Sequence, residues 1–211
     1  MTESRIGVVA DTDEPNKARI LRAAERLFAE RGIEAVSLRA VMAEAGTNVA
    51  AAHYHFGSKD GLVDAIITGR STDISNRRSA MLDALEQADT LDARQLADAF
   101  VVPVVETADS GGEAWVQFIS TLTKGSHPAI ETVSRGFFAQ GRRFIALTER
   151  LHPEWDAAKV RFRLSQAMTV TFDVLGDVAG VQRTLSLSDT RLSRDQVIEE
   201  LTQMVTAILD D

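Results

Sequence analysis

Residues 37–61 read SLRAVMAEAGTNVAAAHYHFGSKDG. Ser37 is a preferred N-cap residue, and it precedes a run in which Leu38, Val41, Met42 and Ala45 recur at helical spacing. Gly46 ends that run, Thr47 and Asn48 make a turn, and Asn48 suits the cap of another short helix that reaches about Phe56. Ser58 caps a further helix, with Asp60 in its first turn, where the helix dipole favours negative charge. Short helices joined at AGTN have the outline of a helix-turn-helix.

Working outward, Ile20, Ala23, Ala24, Leu27 and Phe28 lie three and four apart and define one apolar face of a helix from about Lys17 to Gly32. Pro15 suits its first turn. Residues 1–15 carry no periodicity and are expected to be a flexible arm. Downstream, the helix capped by Ser58 runs on to about Ala88, apolar on one side in its first half and charged in its second, so it should link a head to a body. Further helices are predicted at about 92–108, 112–124, 128–151, 154–182 and 193–209. They are separated by Gly111-Gly112, Gly125, Pro128, Pro153 and the polar run RTLSLSDTR. No alternating β-branched run occurs. The expected fold is all-α, with an N-terminal three-helix head at 16–62 and a larger helical domain at 63–211.

The chain has 211 residues, 45% of them hydrophobic, which is enough for a substantial core. The absence of cysteine excludes disulfides and thiolate metal sites. The apolar run Ile6 to Ala10 is too short for a signal peptide, and no segment approaches the roughly 20 apolar residues of a membrane span. A soluble cytoplasmic protein with no membrane partner is expected. The net charge is −8, which by itself argues against a nucleic-acid partner. Its distribution argues otherwise. Between Asn16 and Lys59 stand seven basic residues, Lys17, Arg19, Arg22, Arg26, Arg31, Arg39 and Lys59, against four acidic ones, Glu25, Glu30, Glu34 and Glu44. A modestly basic head on an acidic body describes a chain of two parts.

The text around the turn is more specific than the turn itself. Ala24, Leu27, Phe28, Gly32, Ala45 and Gly46, followed by Tyr54-His55-Phe56 and Ser58-Lys59, strongly resemble the TetR family of bacterial transcriptional regulators over about Lys17 to Ile67. The resemblance implies a homodimer whose two heads read half-sites of a pseudo-palindromic double-stranded operator, and a helical body for ligand binding and dimerisation. A small-molecule effector bound in the body would reduce DNA affinity, making the protein most readily a repressor.

Carried over position by position, Ser37 resembles a phosphate contact and Arg39 a reader of the guanine edge. Thr47 and Asn48 lie where backbone N–H groups at a helix start can hold phosphate, and Asn48 can cap the helix as well. Val49, Ala50 and Ala51 occupy the positions where specificity varies; they are small and apolar and can meet thymine methyl groups. His53 stands where a tyrosine is usual. Tyr54, His55 and Lys59 match phosphate contacts, and Phe56 matches core. Ala52 stands where a leucine commonly packs, so the core is expected either to be thinner there or to be filled from Val36 or Leu62. His53 and His55, two apart on a helix, point some 200° from each other, which does not suit a shared metal.

In the body, Trp115, Phe118, Phe137, Phe138, Phe144, Trp155, Phe162 and Phe172 hold most of the aromatic area. Family architecture favours Trp115, Phe118, Phe137 and Phe138 as pocket lining, and the scarcity of basic residues that look buried favours a mainly apolar ligand. Ala167, Thr171, Val174, Leu175, Val178 and Ala179 form a small-residue stripe expected at the dimer interface, the alternative being an intrachain core face. No catalytic constellation emerges, and no cofactor or metal is implied; His127 and His152 precede prolines in turns. The competing readings are a helical protein-interaction module and an enzyme carrying a similar head.

Overall fold

The computed structural model describes residues 13–125 and 127–210, apart from the side chains of residues 13–15 and 136–139. Among the described residues ten α-helices follow one another: α1 (Asp13–Arg31), α2 (Leu38–Glu44), α3 (Val49–Phe56), α4 (Lys59–Gln87), α5 (Ala93–Thr107), α6 (Glu113–Lys124), α7 (Ile130–Leu151), α8 (Ala157–Gly176), α9 (Val178–Ser186) and α10 (Arg194–Asp210). No strand occurs among the described residues.

The helix starts follow local chemistry. Ser37 Oγ accepts from the Ala40 amide at 3.2 Å, Asn48 Oδ1 from Ala51 at 3.0 Å, and Ser58 Oγ from Gly61 at 3.0 Å. Asp92 and Gln95 form a reciprocal capping box at the start of α5, and Ser193 with Gln196 repeats it before α10. Each such cap contributes about 1 kcal/mol by satisfying an amide that the helix cannot.

Helix α4 ties the two parts together. Its 29 residues make a rod of about 44 Å, burying Leu62, Val63, Ile66 and Ile67 at the head end and Ile74, Arg78, Leu82 and Leu85 further along. In the head, Ile20, Ala24, Phe28, Val41 and Met42 close the core with Leu62. Ala52 is 1% exposed, and Val36 and Leu62 are both buried, so the alanine leaves no open face at that position. In the body, α5 packs against α10 and α4 against α7, while α6 lies between α8 and the head helix α1.

Two boundaries differ from the sequence expectation. Asp13–Pro15 belong to α1 rather than to an arm, and residues 1–12 lie outside the described residues. The single helix expected at 154–182 is two, α8 and α9. Asp177 breaks it: its backbone leaves the helical region (φ −143°, ψ 55°), and its carboxylate caps α9 by accepting from the Gly180 amide at 2.8 Å. Aspartate favours such local bonds over continuing a helix, which is why periodicity alone misses the break.

Candidate nucleic-acid interface and body cavity

The sharp turn before α3 is set by Gly46, whose φ of +63° favours glycine. Arg19 on α1 fixes the same turn from outside. Its Nε and Nη2 donate to the Ala45 carbonyl at 3.1 and 2.9 Å, and Nη2 also donates to the Gly46 carbonyl at 3.0 Å. A cation at the C-terminal end of α2 meets the orphan carbonyls and the negative end of the helix dipole. Arg26 adds an ion pair to Glu44. Sequence reasoning counted Arg19 only as charge, because nothing local links it to a turn 26 residues away.

Helix α3 is divided lengthwise. Val49, Ala50, His53 and Tyr54 are exposed, Tyr54 at 75%, and these positions at i, i+1, i+4 and i+5 make one stripe. Ala52 is buried, while Ala51, His55 and Phe56 are half-buried. Ala51 sits beside that stripe and packs in part against the core. Ser37, Arg39 and Asn48 are exposed, and Thr47 and Lys59 are half-buried near the ends of the unit.

The two histidines have separate environments. His53 Nδ1 lies 2.9 Å from the Gly57 carbonyl, so that nitrogen must be the donor. A neutral His53 ring then offers only an acceptor at Nε2, and it gains a second donor only when protonated. The His55 ring packs edge-on to Tyr54 at 5.1 Å and against Phe56 at 5.9 Å. Among the described residues, no group of three His, Asp or Glu side chains is placed to hold a metal ion.

In the body, two of the expected ligand-lining residues, Trp115 and Phe118, lie at the junction with the head. Trp115 is 0% exposed, and its Nε1 donates to the Ile66 carbonyl on α4 at 2.9 Å. Phe118 is 1% exposed, with its ring 6.1 Å from that of Phe28 on α1. It lines a cleft of about 440 Å³ between head and body, across which His127 Nε2 lies 3.4 Å from Glu34 Oε1. The side chains of Phe137 and Phe138 lie outside the described residues. His152 is structural: it stacks on Trp155 at 4.0 Å and bonds the Leu209 carbonyl at 2.8 Å.

A second cavity, about 370 Å³, sits within the body between α4, α5, α7 and α8. Phe100, Phe144, Leu164 and Met168 give it apolar walls, and Arg78 and Gln140 also line it. Arg78 is 3% exposed. Its Nε donates to the Ala99 carbonyl at 3.3 Å and Nη2 to the Phe100 carbonyl at 3.0 Å. The reason lies in α5: Pro103, four residues after Ala99, has no N–H to give that carbonyl, and Arg78 supplies one. Burial holds the Arg78 pKa down at about 10, still protonated at neutral pH. Arg78 is the one buried lysine or arginine among the described residues, so basic residues are indeed scarce inside the body.

The small-residue stripe of α8 divides too. Ala167, Thr171 and Leu175 are buried in the chain's own core, where α8 packs on α6, so they cannot reach a second subunit in this arrangement. Gly176 shows how tight that contact is: a Cβ there would sit 2.5 Å from the Ser120 Cβ. Val174 and Val178 are half-buried, Ala179 is exposed, and the large exposed apolar side chains among the described residues of the body are Phe162 on α8 (62%), Leu187 just past α9 (88%) and Met204 on α10 (45%). No helix among the described residues is long and apolar enough to cross a membrane.

Comparison with known proteins assigns both parts. Residues 20–66 match the family model described as bacterial regulatory proteins, tetR family, and residues 98–207 match that of the tetracyclin repressor-like C-terminal domain. The HTH-type transcriptional repressor KstR2 of Rhodococcus jostii is 31% identical over 98 residues, 46% of each chain. The HTH-type transcriptional repressor Rv3405c of Mycobacterium tuberculosis is 38% identical over 86 residues, 40% of this chain and 46% of that protein. The matched region thus spans about half the length of these curated relatives. The crystal structure of SCO4454, a TetR-family transcriptional regulator from Streptomyces coelicolor, superposes with a TM-score of 0.62 at 19% identity, covering 93% of this chain and 95% of that one.

Proposed function

The chain belongs to the tetR family of bacterial regulatory proteins, and on that premise we propose that it is a ligand-responsive transcriptional repressor. It binds a pseudo-palindromic operator as a homodimer and is released by a small, largely apolar effector held in the body. The reading is carried by the exposed stripe of α3, capped by Asn48 and pinned at its turn by Arg19.

Entering a major groove, that stripe sets Val49 and Ala50 against base edges, where they can touch thymine methyl groups but cannot form bidentate hydrogen bonds. Ser37, Thr47, Asn48, Tyr54, His55 and Lys59 hold phosphates and fix register, with His53 beside them, and Arg39 is the side chain able to read a guanine. With so little hydrogen bonding on α3, DNA shape carries part of the selectivity. Phe162 and Met204 contribute the apolar surface through which α8 and α10 pair with a second subunit. The protein acts in the cytoplasm, where its operator is.

The coupling route runs through α6. It touches the head through Phe118 and Phe28 and α4 through Trp115 and Ile66. A ligand that shifts α4 or α5 against the body therefore alters the angle of the head, and a coupling of about 1–3 kcal/mol is enough for regulation.

A genome-wide selection of bound DNA tests the whole reading. A single enriched palindromic sequence with affinity falling steeply in salt is expected. Failure to prefer any sequence over random duplex would end it.

A further inference from the structure

The body cavity contains one polar atom that the chain itself leaves unanswered. Gln140 on α7 lines it beside the apolar side chains of Phe100, Phe144, Leu164 and Met168. The Gln140 Nε2 donates to Ser79 Oγ at 2.8 Å and to the Ser75 carbonyl at 3.3 Å, both on α4. A carbonyl can only accept, so the amide corner that faces Ser75 must be the nitrogen, and both of its N–H groups are spent there. Oε1 is the corner left to the cavity. It is the buried side-chain atom, among the described residues, that has no hydrogen-bond partner.

Buried polar atoms are nearly always satisfied, so this oxygen requires a donor from outside the chain. Ser165, also on the lining, does not supply one, because its hydroxyl donates to the Phe162 carbonyl at 2.7 Å. A water can serve until an apolar occupant displaces it; an occupant that brings its own donor replaces the lost bond. The wall also selects the kind of donor. An ether, ketone or carboxylate oxygen would set lone pairs against the lone pairs of Oε1. An ammonium has N–H groups to give, but the charged residues of the described lining are three arginines, with no aspartate or glutamate to balance a cation.

We propose that the cavity binds a neutral apolar molecule through a hydroxyl group, an alcohol or a phenol, whose O–H donates to Gln140 Oε1 while its hydrocarbon part lies against the phenylalanine, leucine and methionine side chains. The proposal deepens, and rests on, the reading of an apolar effector in the body. It also gives the ligand a lever. The amide that receives the hydroxyl is the one that fastens α7 to Ser75 and Ser79, and α4 carries those two residues at one end and the buried Leu62 and Val63 of the head at the other.

The test uses the full-length protein and three probes of matched size: 1-octanol, its isomer heptyl methyl ether, and octylamine, a cation at neutral pH. Calorimetry should show octanol binding about fivefold or more tighter than the ether, the value of one buried acceptor satisfied rather than stranded, and the amine binding more weakly than octanol. Gln140→Met should make the two isomers bind alike, and Met168→Trp, which fills the cavity, should abolish binding of both. In the wild-type protein alone, equal affinity for the isomers, a preference for the ether or the amine, or no binding by any probe overturns the proposal, whether or not the variants fold. A folded Gln140→Met that keeps the preference, or a folded Met168→Trp that binds octanol unchanged, also overturns it. Calorimetry needs no DNA, so the two readings fail separately when operator affinity is followed by anisotropy in the same samples. Selective octanol binding that leaves the DNA bound upholds the hydroxyl site and defeats the effector role; release of DNA by octanol at concentrations where the ether has no effect supports both.

Discussion

Trp115 on α6 donates its indole N–H to the main-chain oxygen of Ile66 at 2.9 Å, so the body is hydrogen-bonded to the head end of the longest helix. Replacing Trp115 with phenylalanine removes the donor and leaves space that the fully buried surroundings cannot all reclaim. A loss of about 2 kcal/mol is expected in urea denaturation. If the bond transmits the effector signal, the same variant keeps its operator affinity but needs more ligand for release. Unchanged release would remove Trp115 from the coupling route.

On the DNA face, the kind of contact decides the kind of loss. Lys59→Ala should weaken binding to every sequence alike and reduce the slope of log K against log salt by about 1. Tyr54→Phe should weaken binding without changing the slope, because a neutral donor releases no counterion. Arg39→Ala should cost about 1–3 kcal/mol on the operator and relax preference at one guanine. A sequencing-based binding assay at several salt concentrations reads all three, and an unaltered logo for Arg39→Ala would exclude it as a base reader.

Arg19 makes a different prediction, since it supports the turn rather than facing outward at α3. Arg19→Met should destabilise the head by about 1–2 kcal/mol, the charge-assisted bonds being partly screened by solvent. Amide exchange should rise first around Gly46 and Thr47. Exchange unchanged there would mean that the turn holds without the arginine.

What the sequence disclosed and what it hid follow from the range of each interaction. Caps at Ser37, Asn48 and Ser58 act within three residues, so helix starts and the helix-turn-helix were legible. Arg19 reaches across 26 residues to Ala45, and Arg78 across 21 to Ala99, and such contacts leave no local pattern. The stripe from Ala167 to Leu175 had the spacing of an interface, but small residues suit close packing against α6 equally well. Trp115 and Phe118 were picked out because family architecture places a pocket among the middle helices, and that analogy does not show that Trp115 bonds Ile66 or that Phe118 packs against Phe28.

Acid should weaken the tie between α5 and α10. Arg94 grips Glu199 with two parallel bonds of 2.9 Å, and this holds the Glu199 pKa down at about 2. A carboxyl with a depressed folded-state pKa contributes stability that is complete above its ordinary value of 4.5 and is lost as pH falls toward 2. Glu25 works the other way, because burial raises its pKa and its protonation relieves that penalty. Comparing wild type with Glu199→Gln cancels the Glu25 effect. The difference in thermal midpoint should be present at pH 7, shrink below about pH 4.5 and vanish only as pH falls through about 2; a gap that persists below that would show that Arg94 does not select the ionised form.

The dimer is tested on the surface that the buried stripe leaves over. Phe162 and Met204 are large apolar side chains exposed on α8 and α10, helices that pack on each other within the chain. Two copies pairing through a two-fold axis would place both helices at one interface and remove that surface from water. Phe162→Glu with Met204→Glu puts like charges across such an axis without touching the protomer core, so each chain should stay folded while sedimentation shifts to the monomer. Operator affinity should then drop by much more than any single phosphate contact supplies, because each head alone binds only a half-site. Retention of the dimer by this variant would move the interface elsewhere on the body, and Ala179, exposed in the first turn of α9, would be the next position to charge.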